Sequence, residues 1–307
     1  MTKYYPEGYL INTQANINTF SSISALKDAM NQQVILEARA TLCDRDHNIH
    51  TNLGIADGII PREEGATGIA DGSVRDIALI SRVGKPVCFV ITDIIRRENG
   101  RYAAVLSRRK AQEKCAEEYV NRLLRGDIIT VKITRMESFG IFCDIGTGIS
   151  ALMPIDAISV SRIPHPSVRF RTGQEIKAVV SSVDNEGRLT LSHKELLGTW
   201  KENADMFAVG ETVPGIIRTV ESYGVFVELT PNLAGLAEYD PDVKAGECAA
   251  VYIKNIIPER MKIKLVIVDH ANETKNLPDE KYFFTGEHIN YFRYSPEECP
   301  RIVESIF

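Results

Sequence analysis

The chain has 307 residues and a formal net charge of −5, with 44% hydrophobic and 25% charged residues. That length holds two or three domains, and the apolar fraction suffices for ordinary folded cores. The acidic balance argues against bulk electrostatic capture of nucleic acid, and no apolar run approaches the roughly 20 residues of a membrane-spanning helix.

The opening residues MTKYYPEGYL lack the basic-then-apolar pattern of a secretory leader, which makes the cytoplasm the expected compartment. Ser21 to Met30 predicts a short capped helix in an N-terminal extension, residues 1–33. Residues 34–107 then read as a degenerate copy of a unit that recurs twice downstream. In it Ile49, Thr51, Leu53 and Gly54 match Ile141, Cys143, Ile145 and Gly146, and a strand pair is predicted around Asn99-Gly100. From Arg108, apolar residues recur every four positions (Ala111, Cys115, Tyr119, Leu123) until Gly126, which predicts a linker helix over 108–125. Charge is local here: Arg96 to Arg125 holds nine Lys/Arg against four Glu.

Residues 126–194 form the clearest copy. Ile128, Val131 and Ile133 open a strand, and Ile141, Cys143 and Ile145 then alternate with Phe142 and Asp144. Period-two alternation predicts one face on a core and one in water, with Phe142 and Asp144 outward. Asp184-Asn185-Glu186-Gly187 is a turn cluster between two further strands. Leu196, Leu197, Trp200, Ala204 and Phe207 predict a second linker helix over 195–208, with Trp200 as a packing anchor rather than a ligand contact. Residues 209–268 repeat the unit: Ser138-Phe139-Gly140-Ile141-Phe142 aligns without a gap on Ser222-Tyr223-Gly224-Val225-Phe226. The segment 269–307 is aromatic-rich, and its role is open; it is expected to pack back onto the third barrel.

Self-similarity at a fixed period marks one structural unit used repeatedly. Four or five short strands with glycine-rich turns fit a small closed barrel, which leaves few open strand edges. The predicted fold class is therefore mainly β: three tandem five-stranded OB-type barrels joined by short helical linkers. The six cysteines are scattered, with no C-x-x-C pair, and Cys143 in its apolar alternation reads as a small buried thiol.

A large aromatic on the polar side of a strand, present in two copies, needs an explanation. Phe139 and Tyr223 lie three positions before Phe142 and Phe226, with Gly140 and Gly224 between to permit a turn or bulge. Paired rings on an open barrel face suit single-stranded nucleic acid, whose bases stack on aromatic side chains with little sequence preference. The alternative is that the rings cover barrel ends or pack on the linker helices.

The string GDIITVKITRMESFGIFCDIG, ending in RLTLSHK, resembles the S1 RNA-binding domain, the OB module of ribosomal protein S1 and of several ribonucleases. The resemblance is strong over about 126–194, good over 209–267 and weaker over about 34–107. It implies binding of single-stranded RNA across an aromatic face. By the family pattern the contacts fall on Phe139, Phe142, Asp184 and Arg188 in the middle copy and on Tyr223, Phe226 and Lys262 in the third. At a position where the family often carries histidine the copies have Pro154 and Glu238, and the third copy has lost the equivalent of Asp184. Weaker binding is therefore expected of the third copy. In the first, His47 and His50 stand where the rings should be and are candidate RNA or phosphate contacts, since imidazole rings can stack on bases, with plain surface histidines as the alternative. That barrel is expected either to contact protein or to offer a phosphate track of Arg96, Arg97, Arg101, Arg108 and Arg109, with a solvated face as the plain alternative.

The sequence carries no G-x-S-x-G, H-E-x-x-H or P-loop and no metal-ligand spacing, so no catalysis, cofactor or metal is expected. The expectation is a non-enzymatic protein that binds single-stranded RNA or mRNA in translation at the small ribosomal subunit, docked there through the first barrel. The competing readings are a free regulatory RNA binder and a protein–protein scaffold.

Overall fold

The computed structural model describes residues 4–271 and 281–307; residues 272–280 of the C-terminal segment lie outside the described residues. Two short helices come first, α1 (Gln14–Thr19) and α2 (Ile23–Asn31). The Ser22 side chain caps α2 by accepting from the Ala25 N–H at 3.1 Å, and Leu26 and Ala29 turn its apolar side into the core.

The first barrel follows: β1 (Leu36–Cys43), β2 (Ile49–Asn52), β3 (Ala56–Ile60), the short helix α3 (Ile77–Ile80), β4 (Pro86–Arg96) and β5 (Tyr102–Ser107). The sheet closes in the order β1-β2-β3-β5-β4. Antiparallel neighbours alternate with one parallel seam between β3 and β5, where Ala56 faces Tyr102 and Ile59 faces Val105. In β4 the run Val87–Ile91 is buried on both faces of the strand, which is why it shows no alternation.

After α4 (Arg108–Glu118) the second barrel comprises β6 (Ile128–Glu137), β7 (Gly140–Gly146), β8 (Ile149–Pro154), β9 (Glu175–Val183) and β10 (Leu189–Ser192). After α5 (Trp200–Ala204) the third comprises β11 (Thr212–Glu221), β12 (Gly224–Thr230), β13 (Leu233–Ala237), β14 (Cys248–Ile257) and β15 (Lys262–Ala271). Both close with the same neighbour order as the first, so the mainly β architecture of three closed five-stranded barrels is as the sequence pattern predicts. A small antiparallel pair, β16 (Tyr291–Arg293) with β17 (Glu304–Ile306), ends the chain. Among the described residues no helix is long and apolar enough to cross a membrane.

The chain groups into two compact units: the chain up to Leu123 together with Asp144–Ser150, and Leu124–Cys143 together with Ala151–Phe307. In the first, the buried Glu7 carboxylate takes hydrogen bonds from the buried Arg108 at 2.7 and 3.1 Å and from the partly exposed Arg82 at 2.8 Å. In the second, β16 and β17 extend two cores. Phe292 and Val303 pack on the core of the third barrel, and Ile289 and Phe307 pack with Val179 of the second and with Leu196 just after it. The C-terminal segment therefore packs on both barrels of its unit.

The second linker differs from the single amphipathic helix predicted over 195–208. A 3₁₀ turn, Lys194–Leu197, ends at Gly198 with φ of +85°, and α5 then starts afresh. Thr199 and Glu202 form a reciprocal capping box that nucleates it. Trp200 is buried in the core of the third barrel.

Candidate nucleic-acid interface

The aromatic pairs are built by the tight turns between β6 and β7 and between β11 and β12. Ile141 and Cys143 are buried in the barrel, which directs Phe142 to the outer face; Val225 and Val227 direct Phe226 in the same way. At the turn the backbone passes so close to the neighbouring strand that a side chain cannot fit. A Cβ on Gly140 would stand 2.4 Å from the Met153 carbonyl oxygen, and one on Gly224 would stand 2.5 Å from that of Ala237. Phe139 and Tyr223 then project beside the second ring of each pair, 54% and 67% exposed. The two pairs have the same geometry: Phe139–Phe142 are edge-to-face with centroids 6.0 Å apart, and Tyr223–Phe226 are edge-to-face at 6.1 Å. An exposed ring braced by a half-buried one offers an open face on which a planar group can stack.

Strand register places other side chains on the same outer face. Thr219 lies opposite Phe226, Phe226 opposite Leu236, and Leu236 beside Lys264 across the parallel seam. In the second barrel Leu152 stands beside Thr190 at the matching seam. Asp184 and Arg188 sit in the β9–β10 turn, where Arg188 Nε donates to Asp184 at 2.7 Å and its Nη1 lies 2.9 Å from Glu186. The Asp184 carboxylate also accepts the backbone N–H groups of Glu186 and Arg188 at 2.9 Å, so it both holds the turn and orients the guanidinium. The Arg188 hydrogen bond is the main reason its pKa lies below the usual carboxylate range. Lys262 is exposed at the start of β15, the counterpart of Arg188. Pro154 and Glu238 stand at matching strand ends.

The first barrel is different. His47 occupies a turn at φ of +64°, and His50 on β2 is bound through Nε2 to Asp44 at 2.8 Å, which is the main cause holding that carboxyl down at about 2. Neither histidine has an aromatic partner among the described residues. The row matching Phe226 reads Leu42, His50, Ile59 and Val105. Of the arginines, Arg96 and Arg101 are exposed, Arg97 pairs with Asp57 at 3.4 Å, and Arg109 is held between Glu64 and Glu113 at 2.6 and 2.7 Å. Arg108 corrects the expectation of a phosphate track. It is buried and committed to Glu7, so no phosphate reaches it.

A further correction concerns Asp144, expected to face water beside Phe142, and its counterpart in the third barrel. Asp144 and Glu228, at the same position in their repeats, are both buried. Asp144 accepts N–H groups from Glu7, Gly146 and Gly148 at 2.8–3.0 Å; burial, with the Glu7 charge second, pushes its carboxyl up to about 7. Glu228 takes bidentate pairs from Arg169 at 2.6 Å and from Arg218 at 2.8 and 3.0 Å. Burial alone would raise its pKa, but the two guanidinium groups override it and hold the carboxyl below its usual range. Alternation cannot reveal either, because what covers the outer face comes from distant segments.

The sequence model of the S1 RNA binding domain matches residues 123–194. Over longer spans the chain is similar to small ribosomal subunit proteins bS1. It is 33% identical over 158 residues to the bS1 homolog of Bacillus subtilis, covering 50% of this chain and 41% of that protein. It is 26% identical over 281 residues to bS1 of Staphylococcus aureus, covering 88% of this chain and 67% of that one. The chain thus spans between about two fifths and two thirds of the length of these relatives. A multidomain protein with nucleic acid binding domains from Streptococcus pneumoniae aligns over 76% of this chain and 73% of its own, at 11% identity and a TM-score of 0.24. Residues 123–194, the segment that carries Phe139 and Phe142, match the S1 RNA binding domain, and the chain resembles bacterial bS1 proteins across much of its length.

Proposed function

We propose that the chain binds single-stranded RNA on the aromatic faces of its second and third barrels, without catalysing a reaction, and does so in translation at the small ribosomal subunit. The observation that carries this reading is the duplicated ring pair, edge-to-face at 6.0 and 6.1 Å and exposed at its outer member in both copies. A ring that merely covered a barrel end would be enclosed, whereas Phe139 and Tyr223 stand in solvent, where a base can stack. Asp184 orients Arg188 in the β9–β10 turn for a backbone contact. The S1 domain match and the similarity to bS1 proteins support the same reading.

The first barrel is assigned to a protein contact rather than to RNA. Leu42, 53% exposed, with Ile59 and Val105 in the same row and His50 in place of the ring, favours an apolar partner surface over a stacked base. The test is anisotropy of a fluorescent oligouridylate titrated with the full chain, together with sedimentation in the presence of small ribosomal subunits. Micromolar or tighter binding with co-sedimentation is expected. RNA binding without co-sedimentation favours a free RNA binder, and no RNA binding even at low salt sinks the proposal.

A further inference from the structure

We propose that Lys254, Lys262 and Lys264, on the outer face of the third barrel, form the main phosphate track for the RNA strand, so that the third barrel supplies most of the electrostatic part of binding. This rests on the RNA-binding reading above and deepens it by locating the backbone contact. A chain with a net charge of −5 needs a local cationic strip if it is to hold a polyanion.

The strip follows from the β14–β15 pairing. Ile253, Ile263 and Leu265 point into the barrel, and the alternate positions Tyr252, Lys254, Lys262 and Lys264 are exposed. The three lysine side chains make no hydrogen bond or ion pair among the described residues, so all three ammonium groups are available. Register ties them to the rings. Phe226 faces Leu236, Leu236 stands beside Lys264, and Lys264 faces Asn255, the neighbour of Lys254. Lys264 is thus two strands from Phe226, about 10 Å across the sheet. A strand whose base stacks on Phe226 and Tyr223 carries its phosphates over the lysines, with the half-exposed Tyr252 as a third ring on the same face. The acids bordering the strip are Glu238, which follows β13, and Glu259 in the β14–β15 turn.

The second barrel lacks this strip. Leu191 pairs with Val180 as Leu265 pairs with Ile253, which puts Ser181, Thr190 and Arg188 at the positions of Lys254, Lys264 and Lys262. Two of the three are uncharged there, and the third is already engaged by Asp184 and Glu186.

The test compares the full chain with a Lys254→Gln/Lys262→Gln/Lys264→Gln variant and the corresponding triple Lys→Arg variant. Affinity for oligouridylate is measured by anisotropy across a salt series. Each phosphate contact on a single strand contributes about 0.7 to the slope of log affinity against log salt, so the Gln variant is expected to lose about 2 from the slope. The Arg variant is expected to keep the slope. These lysines are exposed and unpaired, and an unchanged circular dichroism spectrum confirms that the fold is intact. A slope change below about 0.7 in the Gln variant overturns the track and leaves the RNA-binding reading standing. Absence of binding by the unmodified chain overturns both.

Discussion

The second and third barrels are two copies of one design whose shared and divergent positions separate two physical tasks. Both keep the glycine, the tight turn and the edge-to-face ring pair, the geometry that the proposed stacking needs whatever the surrounding charge. They differ in how charge is placed. In the second barrel Arg188 is tethered in its turn by two carboxylates, and the exposed Arg135, at the position of Thr219, is paired with Glu137; the third has lysines spaced along a hairpin without acidic partners. A tethered guanidinium is oriented but partly neutralised, whereas an untethered lysine keeps its full charge for a phosphate. The copy with more of the family's contact residues is therefore not the copy with more charge available for RNA.

The buried strand position shows the same divergence. Asp144 is held by backbone N–H groups and Glu228 by two guanidinium groups. Glu228→Gln is expected to be the most damaging single change, because it leaves Arg169 and Arg218 buried without their counter-charge. A loss of about 3–5 kcal/mol is expected, measurable by urea unfolding followed by tryptophan fluorescence at Trp200. A loss below about 1 kcal/mol would show that the triad adds little.

Asp144→Asn is expected to cost less, about 1 kcal/mol, because Asp144 donors are neutral amides. Its pH dependence distinguishes the copies. A carboxyl raised to about 7 from its ordinary value of 3.8 contributes stability that is fully present below the lower value and is lost as pH rises through the higher. The substitution should therefore destabilise less at pH 8 than at pH 5, as read by paired unfolding curves. An opposite trend contradicts the raised carboxyl.

Two smaller effects sharpen the contrast at the RNA face. Thr190→Lys places in the second barrel the counterpart of Lys264 and is expected to raise the salt slope for oligouridylate by about 0.7. Arg188→Ala removes a cation already shared by two acids and is expected to change affinity by less than about threefold, on the scale of an exposed ion pair. A larger loss would return the main backbone contact to the second barrel.

Much of this was legible in the sequence. The repeat, the alternation of Ile141, Cys143 and Ile145, and the Gly140 and Gly224 turns follow from local periodicity and backbone sterics, and so do the barrels. The break in the second linker was also written locally, in Gly198 and in the Thr199–Glu202 pair that restarts the helix. The fates of Asp144, Glu228 and Arg108 were not. Alternation states that a residue leaves the barrel interior; it does not state that Arg169, from the loop after β8, or Glu7, near the chain start, will cover it. The lysine strip needed the register of β13, β14 and β15, which brings Lys254 and Lys264 together from opposite sides of a turn.

The central claim is that the duplicated ring pair is the RNA-stacking surface. Anisotropy of a fluorescent oligouridylate with the full chain and with its Phe142→Ala/Phe226→Ala variant tests it most directly. At roughly 1–3 kcal/mol per stacked base, loss of both rings is expected to lower affinity at least about tenfold with little change in the salt slope. Equal affinity of the two proteins for the oligonucleotide, with both folded, would contradict it.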